Sequence, residues 1–215
     1  MLPFIDAKCL RDTTVEVKER LKFDVPIFGE PLPEVCWMKG EESVEGDKSI
    51  TVMNTESHTK IVFNSITKKN AGTYTLVIRN KSGEDTANVT VAVLDRPAAP
   101  EGPMKVSIEG SKITLLWKKV KDDGGVPIEH YQVTILVSAS FAPQCILIFF
   151  QLEKIDNEKD TWGACGHTQD NQYTLTGFPG LTYQFRVSAV NRIGDSDPLV
   201  SEPISVSEGD DALVR

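Results

Sequence analysis

Apolar residues recur at every second position through most of this 215-residue chain, turn signals interrupt them at short intervals, and no window sustains a capped helical period. Leu21, Phe23 and Val25 fall on one face of a predicted strand, and a Gly/Pro turn leads to a second strand carrying Trp37. Tyr74, Leu76 and Ile78 share one face of a later strand, followed by a hairpin at Asn80 to Gly83 and a final strand. Such a pattern folds as all-β. The chain is long for one small domain, and the stretch "DRPAAPEGP" from Asp95 to Pro103 divides it. Its prolines suit a short semi-rigid joint. The predicted organisation is therefore a β domain over residues 1–95, a Pro-rich linker over 96–103, a second β domain over 104–208 and a tail over 209–215.

Charge narrows the partners. The formal net charge of −8 and the pI near 5.0 argue against a nucleic-acid or anionic-membrane surface, since both require clustered Lys and Arg. Cys9, Cys36, Cys145 and Cys165 show neither CxxC spacing nor a paired framework, so they read as reduced thiols rather than a zinc site or a disulfide scaffold. "MLPFIDAKCL" lacks the basic and apolar regions of a signal peptide, which points to an intracellular protein.

The residues of the first domain resemble the intermediate-set immunoglobulin domain. Trp37 and Tyr74 match that family's core Trp and tyrosine-corner Tyr, and Asn70-Ala71-Gly72 stands where the family usually has Asp-Ala-Gly. The two positions that the family joins by a disulfide are held here by Val25 and Leu76, an apolar pair that fills the same core without oxidation. Cys36, next to Trp37, faces the other way by strand alternation and is no substitute. The second domain resembles a fibronectin type III domain. Trp117, the "DDGG-P-I" turn, Tyr131, Leu175, Tyr183 and "FRVSAVNRIGDSDP" carry that likeness. The resemblance therefore implies tandem β-sandwiches.

One stretch departs from it. The third strand of the type III family runs Tyr-x-apolar-Glu-Lys, and deletion of Val133 to Gln151 restores "IEHYQLEKID". These 19 residues have three readings. A membrane span is disfavoured, because the 18 residues from Val133 to Phe150 contain five that are polar or Pro, with Pro143 near the middle. A native hairpin of "VTILV" and "CILIFF" is open, although it leaves an aggregation-prone edge. The preferred reading is an unspliced segment: Val is GTN and Phe-Phe-Gln can be TTTTTTCAG, the signature of intron ends. If the segment is present, it is expected to disrupt the third strand of the type III domain.

Catalytic chemistry finds no support. His58, His130 and His167 lie in unrelated segments, and Cys165 with His167 makes only two ligands. "DDGG" at Asp122 to Gly125 lacks calcium-loop or phosphate-loop spacing and reads as a turn. "EESVEGD" reads as a solvated acidic connection, and the sequons at Asn80 and Asn88 as polar strand and hairpin residues. No catalytic, cofactor-binding or metal residue is assigned, no cofactor is expected, and the chain is read as non-enzymatic.

Taken together, the immunoglobulin and type III modules, the Pro-rich joint and "YQFRVSAVNRIGDSDPL" resemble the intracellular muscle family of titin, twitchin and myosin-binding protein C, twitchin most of all. The resemblance implies a module pair from a giant sarcomeric scaffold associated with the thick filament, contributing to sarcomere organisation and passive mechanics. Its partners would be the myosin thick filament and neighbouring domains of the same chain, and its place the cytoplasmic sarcomere in the A-band or M-line region. A kinase domain could belong only to another part of a longer parent chain. The alternative is a fragment of a cell-surface adhesion ectodomain, against which Val25 and Leu76 tell. Loops at Glu41 to Lys48 and Asn191 to Asp197 are the candidate contact surfaces.

Overall fold

The computed structural model describes residues 1–110, 112–137, 162–177 and 181–206. The chain divides into two compact units, Met1–Asp95 and Arg96–Arg215. The first contains strands β1 (Phe4–Ile5), β2 (Thr13–Glu16), β3 (Leu21–Phe28), β4 (Glu34–Lys39), β5 (Glu42–Ser43), β6 (Ile50–Asn54), β7 (His58–Phe63), β8 (Gly72–Asn80) and β9 (Gly83–Leu94). They form two sheets, β1-β3-β7-β6 and β2-β9-β8-β4-β5. The expected alternation is present: along β3 the residues Leu21, Phe23, Val25 and Ile27 are buried, and along β8 so are Tyr74, Leu76 and Ile78.

Val25 and Leu76 are both 0% exposed and share the core with Trp37, which is 1% exposed. An aliphatic pair therefore occupies the centre of the sandwich, where close packing must supply the cohesion. The Trp37 indole is not left unpaired: its Nε1 donates to Thr59 Oγ1 at 2.9 Å, and that hydroxyl donates on to Asn54 Oδ1 at 2.7 Å. Cys36, its neighbour, is partly exposed as alternation requires.

The tyrosine corner forms, and it explains the Asn. The Tyr74 hydroxyl donates to the Asn70 carbonyl at 2.9 Å. The Asn70 side-chain oxygen accepts from the Thr67 amide and hydroxyl, while its Nδ2 donates to Ser49 Oγ at 3.0 Å. A carboxylate has no donor for that last bond. Burial, and secondarily the Asp47 charge, pushes the Tyr74 phenol up to about 12.

In the second unit β10 (Glu101–Glu109), β11 (Lys112–Lys118) and β14 (Gln172–Thr176) form one sheet in the order β10-β11-β14. The other runs β13 (Gly163–Thr168), β12 (His130–Val137), β15 (Thr182–Asn191), β16 (Gly194–Asp195), with β17 (Leu199–Val200) and β18 (Ile204–Ser205) also paired to β15. Trp117 and Tyr131 meet edge to face, ring centres 5.5 Å apart, within a core that includes Leu175, Tyr183 and Phe185. At the "DDGG" turn the Asp122 and Asp123 side chains accept from the amides of Gly124 and Gly125. Both glycines have φ near +80°, which a Cβ would oppose.

Two expectations change in detail. The joint at 96–103 is fastened to the second unit: the Ala98 amide donates to the Asp122 carbonyl, Arg96 pairs with Asp197 at 3.1 Å, and β10 already begins at Glu101. The third strand, expected to be disrupted from Val133, runs without interruption to Val137, and the described residues do not show an insertion in it. Val133 to Val137 pair with Val187 to Tyr183 of β15, and Val133 and Ile135 are fully buried. The physical reason is that "VTILV" has the period-two pattern and β-branched residues that the site selects. The rest of the notable segment, 138–151, lies outside the described residues, as does Cys145.

Two outcomes follow. Ile135→Ala should destabilise the second unit by about 2–5 kcal/mol and leave the first unit's transition in place, as read by denaturant unfolding. A loss below about 0.5 kcal/mol, within the surface range, would remove Ile135 from the core. For Tyr74, the phenol ionises near 10 when unfolded and about 12 when folded, so its contribution is intact below pH 10 and is lost as pH rises from 10 through 12. Tyr74→Phe should cost about 1 kcal/mol at neutral pH and flatten that alkaline decline in melts of the isolated first unit.

Candidate functional site: the terminal strand pair and the outward faces

Among the described residues no group of three or more His, Cys, Asp or Glu side chains could hold a metal ion. Cys165 packs against the second core, and burial pushes its thiol up to about 12, which suppresses the nucleophilic thiolate. A bulge in the β12–β13 ladder sets this orientation: Val133 pairs with Gly166 and Thr134 with Ala164, leaving Cys165 as the extra residue. It is thereby turned away from His167, whose position opposite Gln132 is on the outer face. His58 is on β7 in the other unit, its ring Nδ1 2.9 Å from Ser57 Oγ. An open groove of about 510 Å³ in the second unit is lined by Lys119, Asp123, Glu129, His130, Tyr131 and Asn171, among others.

The two loops proposed as contact surfaces are more constrained than composition suggests. Within Glu41 to Lys48, Val44 is buried and its amide donates to the Trp37 carbonyl at 3.0 Å. Asp47 accepts from both the amide and hydroxyl of Ser49, and these bonds hold its carboxyl below the usual range. In the Asn191 to Asp197 segment, Asn191 and Ser196 are buried. Asn191 Oδ1 accepts from the amides of Ile193 and Gly194, its Nδ2 donates to the Asp123 carbonyl, and Ser196 Oγ accepts from the Ala189 amide. The exposed side chains are thus presented from pinned backbone. A surface missed by sequence reasoning is apolar: Phe4 and Phe28, paired across β1 and β3 with ring centres 6.1 Å apart, are about half exposed, as is Leu32.

The most distinctive arrangement concerns the chain ends of the first unit. Strand β2 pairs in parallel with β9, the last strand: Thr13 with Val91, Thr14 with Ala92, Val15 with Val93 and Glu16 with Leu94. The Val17 amide extends the pair by donating to the Leu94 carbonyl at 2.9 Å. Tension between Met1 and Asp95 first meets the two-residue β1, paired with β3 in the other sheet, and then pulls β2 and β9 in opposite senses along their common axis. The evenly spaced, slanted bonds of this parallel ladder are sheared together instead of being opened one at a time. In the second unit the terminal strands β10 and β18 have antiparallel partners in different sheets, and no parallel pair is present among the described residues.

Comparison with known proteins agrees with this architecture. The immunoglobulin I-set domain model matches residues 3–93, and the fibronectin type III domain model matches residues 98–207. The titin homolog of Caenorhabditis elegans is 32% identical over 182 residues, which is 84% of this chain and 1% of that protein. Smooth-muscle myosin light chain kinase of Gallus gallus is 30% identical over 199 residues, 92% of this chain and 10% of the kinase. Fast-type myosin-binding protein C of Mus musculus is 30% identical over 181 residues, 83% of this chain and 14% of that protein. The chain spans only a small part of each of these relatives. With a tandem immunoglobulin and type III pair in this order, the chain belongs to the titin and myosin-binding protein C family.

Proposed function

We propose that this module pair is a load-bearing and docking element of a larger sarcomeric scaffold associated with the thick filament, contributing to sarcomere organisation and passive mechanics. The observation that carries the reading is the parallel β2–β9 pair joining the two ends of the first unit. Its bonds are loaded simultaneously, so rupture requires several hydrogen bonds, each worth about 0.5–1.5 kcal/mol net, to fail in one step. Free Cys9, Cys36 and Cys165, with Val25 and Leu76 in the core, support an intracellular placement over an adhesion ectodomain. The partners in this reading are myosin and neighbouring modules, with the half-exposed Phe4–Phe28 pair supplying apolar contact area.

Val17→Pro tests the mechanical claim, because proline deletes the amide that bonds Leu94. Single-molecule stretching through the chain ends should show the first unit's rupture force fall, with the second unit's unchanged. Equal rupture forces for variant and parent would remove β2–β9 from the load path. Placement is tested separately by imaging the tagged parent protein in muscle: a signal along the A-band or M-line is expected, and one confined to the Z-disc would overturn the thick-filament assignment.

A further inference from the structure

The β12–β13 ladder brings together two histidines that are 37 positions apart in sequence: His130 and His167 have ring centres 5.4 Å apart and planes inclined at 63°. Register explains the meeting. Gln132 is directly opposite His167, so His130, two residues earlier on β12, lies on the same outer face as a diagonal neighbour. Both elements are held in the sheet, with β12 paired on its other side to β15. The imidazoles are thus positioned by backbone ladders rather than by a loop.

We propose that His130 and His167 form a two-imidazole site for a borderline divalent transition ion of the zinc class. A zinc–imidazole bond of about 2.0–2.1 Å puts the metal about 3.2 Å from each ring centre, and a tetrahedral angle then sets the two centres about 5.2 Å apart. The observed separation is 5.4 Å, within a few tenths of an ångström of that geometry. Access is open, because His167 is exposed and His130 lines the 510 Å³ groove beside Glu129, Tyr131 and Asn171. Donor type sets the class of ion: imidazoles favour zinc, nickel or copper, and offer no advantage to calcium or magnesium. Cys165, turned inward at the bulge, adds no third ligand, so the remaining positions are left to water or to a donor from another molecule. This inference goes beyond the load-bearing reading and does not depend on it.

The test is calorimetric titration of the full chain with zinc chloride, beside His130→Gln, His167→Gln and the control His58→Gln. The expected result is a zinc site that either of the first two substitutions weakens at least tenfold, as loss of a direct ligand must exceed the roughly 10–100-fold effect of losing an outer partner. The control should bind as the parent does, and magnesium should give no heat. A matched melt guards against misfolding: without metal all four chains should show the second unit's transition. At free zinc about 100 times the dissociation constant the parent's folded population should gain about 100-fold, an upward shift of about ten degrees. Zinc binding that survives in both His130→Gln and His167→Gln, or no binding by the parent, would overturn the proposal and leave the pair as a ring contact alone.

Discussion

Cohesion between the two sheets of the first unit depends on how Val25, Trp37 and Leu76 pack at its centre. A disulfide at these positions would join β3 to β8 covalently and stabilise the fold by restricting the unfolded chain. With Val and Leu there, that contribution is replaced by close contact and by exclusion of water. Full burial of such side chains contributes about 1.5–3 kcal/mol each, provided the cavity is filled. Trp37 is buried in the same core, and the Thr59 and Asn54 hydroxyl–amide relay satisfies its one polar atom. The first unit therefore holds together without oxidation, the condition for an intracellular immunoglobulin fold.

In the proposed load-bearing role, the same sandwich determines which bonds meet the tension. The core keeps the two sheets together, but the ends of the first unit meet in the parallel β2–β9 pair, at the edge of one sheet. Local strand stability and resistance to a directed load are consequently different properties of this module. The core sets the free energy of unfolding, whereas the pulling direction selects which hydrogen bonds fail first. The second unit has a core of its own and, among the described residues, antiparallel pairing for its terminal strands.

Much of this was legible in the sequence because it is local. Alternation gave the inward faces of β3 and β8, Trp37 and Tyr74 marked the core and the corner, and the Asp-Asp-Gly-Gly spacing marked a turn whose two glycines need positive φ. What escaped was non-local. Thr13 to Glu16 carry no signal that they pair with Val91 to Leu94, because register across some 78 residues is set by the closed sandwich. His130 and His167 meet for the same reason. Cys165 is separated from His167 by a bulge, which simple alternation does not foresee. Val133 to Val137 read as foreign by comparison with a family pattern, yet their alternating side chains meet the only demand the sheet makes at that point.

The central claim is that the first unit is built to resist load along its ends, and its most direct measurement is rupture force as a function of pulling direction. Handles at Met1 and Asp95 load β2 against β9 in shear, whereas handles at Glu16 and Leu94, partners at one end of the parallel pair, open its hydrogen bonds one after another. The account predicts a clearly higher force for the end-to-end geometry, since its hydrogen bonds must break together. Equal forces in the two directions would contradict it, because resistance would then come from the core alone and the parallel pair would have no mechanical role.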